Sequence, residues 1–441
     1  MACTPTPPRA TPTADTTAMK TLFARRPLIP VLILEIVLLS APARLGAEDW
    51  PQWRGPLRNG VSGEKGLLQQ WSKEGPRLLW QARDCGSGYS TPAVAGQHLY
   101  LLGNEGLEDE AVLALATADG KRLWRTRLGN VGQPNQEPKF PAARSTPTVE
   151  GARLYALGSD GDLACLDTAT GQIQWRKQLR TELAGKPGTW AYAESPLVDG
   201  DHLICTPGGS EATVVALRKT TGEIAWKCPL PGNIEAAYSS PILAAVGGTR
   251  QIVQMLQKGL VGIDAATGKL LWRYDKTVSK FNANIPSPVF HKGFLFTAGA
   301  GTGGAILRLT AAAAEEIAFS PKFPTAIGGS VPLDDHLYGT TGQALVCTEL
   351  ATGTLRWEER ALGAASLCLA DGRLYLHGEN GEVALAEATP EGYREHGRFT
   401  PPDAPKRKSP MEKAWAYPVV AHGRLYLRDH AMLWCYDLKT P

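Results

Sequence analysis

Ala169-Thr170-Gly171-Gln172-Ile173-Gln174-Trp175 returns as Ala266-Thr267-Gly268-Lys269-Leu270-Leu271-Trp272 and again as Ala351-Thr352-Gly353-Thr354-Leu355-Arg356-Trp357. Weaker copies end at Trp124, after Asp119-Gly120, and at Trp226, after Thr221-Gly222. Trp124, Trp175, Trp226 and Trp272 are 51, 51 and 46 residues apart, and Trp357 follows after 85, two units with the middle tryptophan lost. A fixed period of about 45 residues, built on short apolar runs and Gly turns, predicts a β-propeller. The whole chain then forms one closed ring rather than several domains.

A second motif lies between the tryptophans: a small residue or Ser, often with Pro, an apolar strand, a Gly/Asp turn and an L-Y-type strand. Eight copies begin at Ser90-Thr91-Pro92, Ser145-Thr146-Pro147, Ser195-Pro196, Ser240-Pro241, Ser287-Pro288, Ser330-Val331-Pro332, Ala365-Ser366 and Ala416-Tyr417-Pro418. Each reads as a hairpin by alternation and turn chemistry, as in Asp199-Gly200-Asp201 or Leu374-Tyr375-Leu376. The A-T-G turn joins a third strand to a fourth, so one repeat is a four-stranded blade. In the second blade the strands are expected over 145–149, 153–158, 163–167 and 173–179.

The last repeat runs out at Asp437 without a fourth strand, and a spare one, Arg77-Leu78-Leu79-Trp80-Gln81, sits 44 residues before Trp124. Pairing the two closes the ring and removes an exposed sheet edge. The expected fold is all-β, an eight-bladed propeller of four-stranded antiparallel blades closed by an N-terminal strand. Two blades are degenerate: the fifth has Ala318-Phe319 in place of its tryptophan, and the seventh reads Ala388-Thr389-Pro390-Glu391-Gly392. The expected organisation is a leader over 1–47, an extension packing on the propeller over 48–76, and the propeller over 77–441.

From Met19 the leader reads as a secretory signal: Lys20, Arg25 and Arg26, an apolar run over 28–39, then small residues to Ala47. Met19 is an alternative start. Cleavage is expected after Ala47, with Ala43 the alternative, and the run, broken by Pro30 and Glu35, is short for a membrane span. An uncleaved anchor is the other reading; the expected location is the periplasm or the exterior of a bacterial cell, as a monomer. Residues 1–47 carry five Lys/Arg and two Asp/Glu, which accounts for the whole chain's net charge of +3. The mature part is near neutral, with no basic surplus to steer nucleic acid.

Eight cysteines in an exported chain raise the question of disulfides. Cys165, Cys347 and Cys435 share one third-strand position, where other blades have Ala114, Ala216 and Gly262. A site taking only Ala, Gly or Cys is cramped, and cysteine there acts as a small hydrophobe. Cys85, Cys205, Cys228 and Cys368 stay open, including a Cys205–Cys228 bridge within the third blade.

Blade topology puts the A-T-G turns and first–second hairpin turns on one trimmed face. The second–third loops and blade crossings, including 103–111, 129–144, 180–194, 298–305 and 400–415, gather on the other, where function usually sits. Residues leading into the first strands should ring the channel mouth there: Tyr89, Arg144, Tyr192, Glu194, Tyr238, Asn284 and Trp415. These are the candidate ligand-binding residues; plugging the channel is their structural alternative. No catalytic or metal-binding residue is nominated. Gly299-Ala300-Gly301-Thr302-Gly303-Gly304 matches G-x-G-x-x-G but leads into a strand, so no helix N-terminus receives a pyrophosphate.

The A-T-G-x-x-x-W phrase with S-x-P hairpins, over about residues 50–439, resembles the pyrroloquinoline-quinone (PQQ) repeat superfamily. The stretch Trp50-Pro51-Gln52-Trp53-Arg54-Gly55-Pro56, with Asn59-Gly60, is similar to the start of secreted PQQ-like propellers of the BamB-like and quinoprotein alcohol dehydrogenase-like branch. The resemblance implies that Trp80, Trp124, Trp175, Trp226, Trp272 and Trp357 dock neighbouring blades together. It does not carry the cofactor with it: quinoprotein dehydrogenases have adjacent cysteines and a calcium held by acidic and amide side chains, and this chain has no Cys-Cys dipeptide. No lipobox cysteine ends the signal. The expectation is therefore an exported, non-catalytic scaffold binding an envelope protein, a peptide or a glycan, without a cofactor. The alternative is a PQQ- and calcium-dependent alcohol dehydrogenase-like oxidoreductase with an atypical pocket.

Overall fold

The innermost strand of each repeat runs beside its counterparts in the neighbouring repeats, so the first strands surround a common axis. A computed structural model of the chain describes residues 48–132, 143–407, 409 and 412–440. The expected leader, its cleavage site and parts of the 129–144 and 400–415 loops lie outside the described residues. Among the described residues the strands form eight antiparallel four-stranded sheets, one of them extended by a two-residue parallel strand, Val61–Ser62. The one α-helix among them is the single turn Leu179–Glu182. No helix among them is long and apolar enough to cross a membrane.

Blade two illustrates the plan with strands Thr148–Glu150, Arg153–Leu157, Asp162–Asp167 and Ile173–Gln178. The A-T-G turn has a local cause. Asp167 Oδ1 accepts hydrogen bonds from Ala169 N, Thr170 N and Thr170 Oγ1, and Gly171 N donates to Asp167 O. Gly171 then sits at φ 72°, a left-handed conformation that glycine adopts without steric cost. Asp264 repeats the arrangement with Thr267 and Gly268.

The glycine is also needed by the next blade's neighbour. A Cβ on Gly171 would come within 2.6 Å of the Trp124 ring, and one on Gly120 within 2.5 Å of Trp80. Trp80, Trp124, Trp175 and Trp226 stack on the turn glycine of the following blade, and each of these tryptophans, like Trp357, donates Nε1 to the carbonyl three residues before the turn glycine. The pairs are Trp80 to Thr117 (2.9 Å), Trp124 to Thr168 (3.0 Å), Trp175 to Lys219 (3.0 Å), Trp226 to Ala265 (3.2 Å) and Trp357 to Thr389 (2.9 Å). Trp272 differs because blade five has Ala311-Ala312-Ala313 in place of the turn glycine. Its Nε1 donates to Gln251 Oε1 in its own blade (2.7 Å), and Gln251 Nε2 carries the contact onward to Thr310 O of blade five (2.7 Å).

A β-bulge just before each docking position turns the side chain toward the next blade; in blade two the register shifts between Ile173 and Trp175. Opposite the tryptophan stands the small third-strand residue: Ala114, Cys165, Ala216, Gly262, Cys347 or Cys435. A Cβ on Gly262 would fall 2.1 Å from the Trp272 ring. Where the tryptophan is missing the volumes exchange: Ile306 faces Ala318 in blade five, and Leu385 faces Gly397 in blade seven. Close packing explains the swap, since the two positions share one fixed space.

The serines that open the hairpins link blades around the axis. Thr146 N donates to Ser195 Oγ (2.8 Å), Ser195 N to Ser240 Oγ (2.9 Å) and Ser240 N to Ser287 Oγ (3.0 Å). The ring closes as expected: Leu78–Ala82 pairs antiparallel with Met432–Asp437 and completes blade eight.

Residues 48–64 form a loop inserted along the channel. Both ends sit at the trimmed face, where Asp49 accepts from Gly96 N (2.8 Å) and Glu64 from His422 N (2.9 Å) and Gly423 N (2.8 Å). The loop touches every blade. Trp50 pairs with Val94 of blade one, Pro51 O accepts from Val149 N of blade two, and Val61 lies beside Leu369 of blade seven. Arg58 reaches carbonyls of blades three and four, Trp53 Nε1 donates to Ser287 Oγ of blade five (3.1 Å), and Arg54 donates to Ser330 O of blade six. The Glu64 contacts serve blade eight.

The open cysteine question resolves without disulfides: all seven described cysteines are free and buried, Cys205 and Cys228 among them. Burial pushes the Cys85 and Cys228 thiols up to about 11, which keeps them protonated and unreactive at neutral pH.

Candidate functional site

The segments entering the first strands on the long-loop face converge on a cup of about 260 Å³ above the inserted loop. Six aromatic side chains line it: Trp53, Tyr89, Trp190, Tyr238, Trp415 and Tyr417. Ala193, Ile285 and Ile327 add apolar wall, and Arg144 is the charged residue of the lining.

The aromatics are held in place by specific contacts. Tyr89 and Trp415 pack with ring centroids 5.0 Å apart, and Trp415 Nε1 donates to Glu379 Oε1 (2.9 Å), whose carboxylate also pairs with Lys413 (3.1 Å). Trp53 and Tyr417 meet edge to face at 4.7 Å, and Tyr417 OH donates to Ile327 O (2.6 Å). At the rim Trp190 N donates to Tyr238 OH (2.9 Å), and Arg144 Nη1 donates to Trp190 O (2.5 Å). The loop carrying Trp190 has two alanines in the left-handed region, Ala184 (φ 49°) and Ala191 (φ 68°). Such strain persists only where surrounding contacts over-determine the backbone, and here Lys186 bonds both Pro207 and Ala236 main chain.

Two arginines of the inserted loop lie buried beneath the floor. Arg54 Nη2 donates to Asn59 O (2.9 Å) and to Ser330 O, and its guanidinium sits 5.7 Å from the Tyr417 ring centroid. Arg58 donates to Ser195 O, Pro196 O, Pro241 O and Gln52 Oε1. Burial lowers both guanidinium pKa values, that of Arg58 to about 9, so Arg58 remains a cation at neutral pH.

Of the seven candidates, Tyr89, Arg144, Tyr238 and Trp415 lie in the lining. Tyr192, Glu194 and Asn284 lie outside it and serve the framework. Tyr192 is buried with its OH on Pro207 O (2.7 Å). Asn284 accepts from Ser279 N (2.7 Å) and donates to Leu256 O (2.8 Å) and Gln257 O (3.0 Å). Glu194 accepts from Thr206 N and from Gln254 Nε2 (3.1 Å). Sequence reasoning missed Trp53, Trp190 and Tyr417. Trp190 stands two residues before Tyr192 in the same pre-strand segment, and Tyr417 opens the eighth hairpin. Nothing local marks Trp53.

Desolvation pushes the buried Glu194 carboxyl up to about 7, against the opposing pull of its Thr206 hydrogen bonds; buried Glu110, bonded to Ser159, is pushed up to about 7 for the same reason. A carboxyl with a raised folded pKa holds its proton more tightly folded than unfolded. Its contribution is therefore fully present below the ordinary carboxylate range and is lost as pH rises through about 7. The urea midpoint is expected to fall between about pH 5 and pH 8, and the Glu110→Gln/Glu194→Gln double variant should flatten that slope. An unchanged slope would contradict the assignment.

The cup does not fit the calcium-bound quinone chemistry of the alternative. Calcium takes carboxylate, amide or carbonyl oxygens, and among the described residues the cup's side chains offer neither a carboxylate nor an amide. Among the described residues no three His, Cys, Asp or Glu side chains gather as a metal site.

A family model described as outer membrane protein assembly factor BamB matches residues 60–137 and 108–359. The outer membrane protein assembly factor BamB of Salmonella typhimurium is 27% identical over 139 residues, 32% of this chain and 31% of its own length. The chain spans about a third to a half of the length of the curated relatives it first matches. The crystal structure of BamB from Moraxella catarrhalis superposes with a TM-score of 0.60 at 16% identity, over 85% of this chain and 99% of that one. A quinohemoprotein alcohol dehydrogenase from Pseudomonas putida HK5 gives 0.50 at 13% identity, over 89% and 81%. At such identities the two structures speak to the fold alone.

Proposed function

The chain belongs to the family described as outer membrane protein assembly factor BamB, and from that premise we propose that it is an exported, non-catalytic propeller that binds a protein of the bacterial cell envelope on its long-loop face. The observation that carries this reading is the cup itself. Trp, Tyr and Arg are the residue types that dominate binding energy at protein interfaces, and they make up seven of its ten lining residues. Among the described residues the lining has no carboxylate, histidine, serine or cysteine to act as base or nucleophile. The relatives named for outer membrane protein assembly support a protein as partner rather than a glycan, and an export signal ending near Ala47 supports the periplasm as location. We read the chain as acting as a monomer, with residues 48–76 as an extension of the ring formed by 77–441.

The test measures PQQ binding to the purified apo-protein, with and without calcium, together with dye-linked alcohol oxidation. Neither is expected. Stoichiometric quinone binding with turnover would overturn the scaffold reading in favour of the dehydrogenase.

A further inference from the structure

Resting on the binding reading above, the geometry points to the chemistry of the occupant: we propose that the cup receives an aromatic side chain of a partner polypeptide flanked by acidic residues. Three observations converge on this.

The wall selects a ring. Trp53, Trp190, Trp415 and three tyrosines enclose about 260 Å³, less than the usual span of drug-sized ligand pockets, about 300–1,000 Å³. That space suits a side chain projecting from a longer chain. Aromatic rings gain from edge-to-face and offset contacts beyond their buried area. Sugar hydroxyls, by contrast, would meet no carboxylate or side-chain amide among the described residues of the wall and would lose hydrogen bonds on entry.

The surroundings select negative charge. Arg144 stands at the rim, and Arg54 and Arg58 lie buried under the floor. Among the described residues neither buried guanidinium forms a salt bridge; their donors go to carbonyl, hydroxyl and amide oxygens. Of the carboxylates nearby, Glu379 is occupied by Trp415 Nε1 and Lys413, and Glu194, which interacts with Arg58, by Thr206 N and Gln254 Nε2. Charges with low-dielectric walls focus their field into a cleft, so acidic flanks gain and basic flanks lose.

The rim is built before the partner arrives. Trp190 is carried on a backbone strained at Ala184 and Ala191, with its N–H on Tyr238 OH. A preformed wall spares the ordering cost of binding.

The experiment titrates the full mature chain with acetyl-Gly-Asp-Phe-Asp-Gly-amide and follows tryptophan fluorescence and calorimetric heat. Saturable binding is expected, weakened at least about ten-fold when the peptide's Phe is Ser. It should also weaken when both Asp are Lys, and with rising salt. Trp190→Ala and Trp415→Ala should abolish binding with unchanged far-UV circular dichroism, whereas Arg144→Gln should weaken the acidic peptide more than a neutral Asn-Phe-Asn one. Equal binding of the Ser or Lys peptides would overturn the inference. So would absence of binding at millimolar peptide, or binding of phenylacetate as tight as that of the peptide. If the peptides fail while an envelope protein still cross-links to the long-loop face, the inference falls and the functional reading stands. If neither binds, both fall.

Discussion

Replacing Arg58 with alanine is expected to lower the unfolding free energy of the ring by about 3 kcal/mol or more. The side chain stands in the channel with Nη1 on Ser195 O (3.1 Å) and Pro241 O (2.6 Å), and with Nη2 on Pro196 O (2.5 Å). These carbonyls lie immediately before the first strands Leu197–Asp199 and Ile242–Val246, on the inner side where no further strand pairs with them. Alanine would leave the buried Ser195 O and Pro241 O facing a void and Pro196 O with the Thr148 hydroxyl alone. Burial holds the guanidinium pKa down to about 9, so the charge itself is disfavoured there; the acceptors are what require it. Lysine should restore only part of the loss, because a point charge cannot serve blades three and four at once. Urea unfolding of both variants checks this. A loss under about 0.5 kcal/mol for alanine, the range of ordinary surface changes, would contradict it.

Trp71→Ala should cost about 3–5 kcal/mol, as expected for a large buried aromatic. Blade seven has Gly397 at the docking position, and the extension supplies the missing ring. Trp71 N donates to His396 O (2.8 Å), and a Cβ on Gly397 would come within 2.6 Å of Trp71 Cβ. Its indole packs against Tyr375 at 5.7 Å and Phe399 at 5.5 Å. Gly75, at φ 80°, lies on the Phe399 ring much as Gly120 lies on Trp80. The damage should be local first: amides of Glu395–Phe399 and of the closing strand Leu78–Ala82 should exchange before those of blade three. Leu57→Ala, at a site 78% exposed, is the control and should change little. Uniform loss of protection around the ring would contradict a blade-seven role for Trp71.

Blade number and closure were legible because the repeat writes them locally. An Asx turn, a glycine and a tryptophan four residues later recur together within one unit. The cysteine position was legible too, although its partner was not: only the register shows that Cys165 is small because Trp175 faces it, and that Leu385 is large because Gly397 does. Trp272 could not be told from its siblings, since its route through Gln251 depends on the next blade lacking a turn glycine. The inserted loop was invisible for a deeper reason. Residues 48–64 carry no repeat, and beyond the segment's own turns their long-range hydrogen bonds go to blades far away in sequence. The cup was half legible. Strand starts pointed to Tyr89, Arg144, Tyr238 and Trp415, but also to Tyr192, which follows the left-handed Ala191 and is buried while Trp190 lines the rim. Asn284 looked like a ligand-binding amide and is spent on three backbone groups.

The measurement that tests the central claim most directly is site-specific photo-cross-linking in cells that make the protein. One probe replaces exposed Glu211 on the long-loop face and the other replaces exposed Ala152 on the trimmed face. A discrete protein adduct is expected from position 211, none of matching yield from position 152, and loss of the adduct when Trp190 and Trp415 are both alanine. An adduct that forms equally from position 152, or that survives loss of both tryptophans, would contradict the central claim.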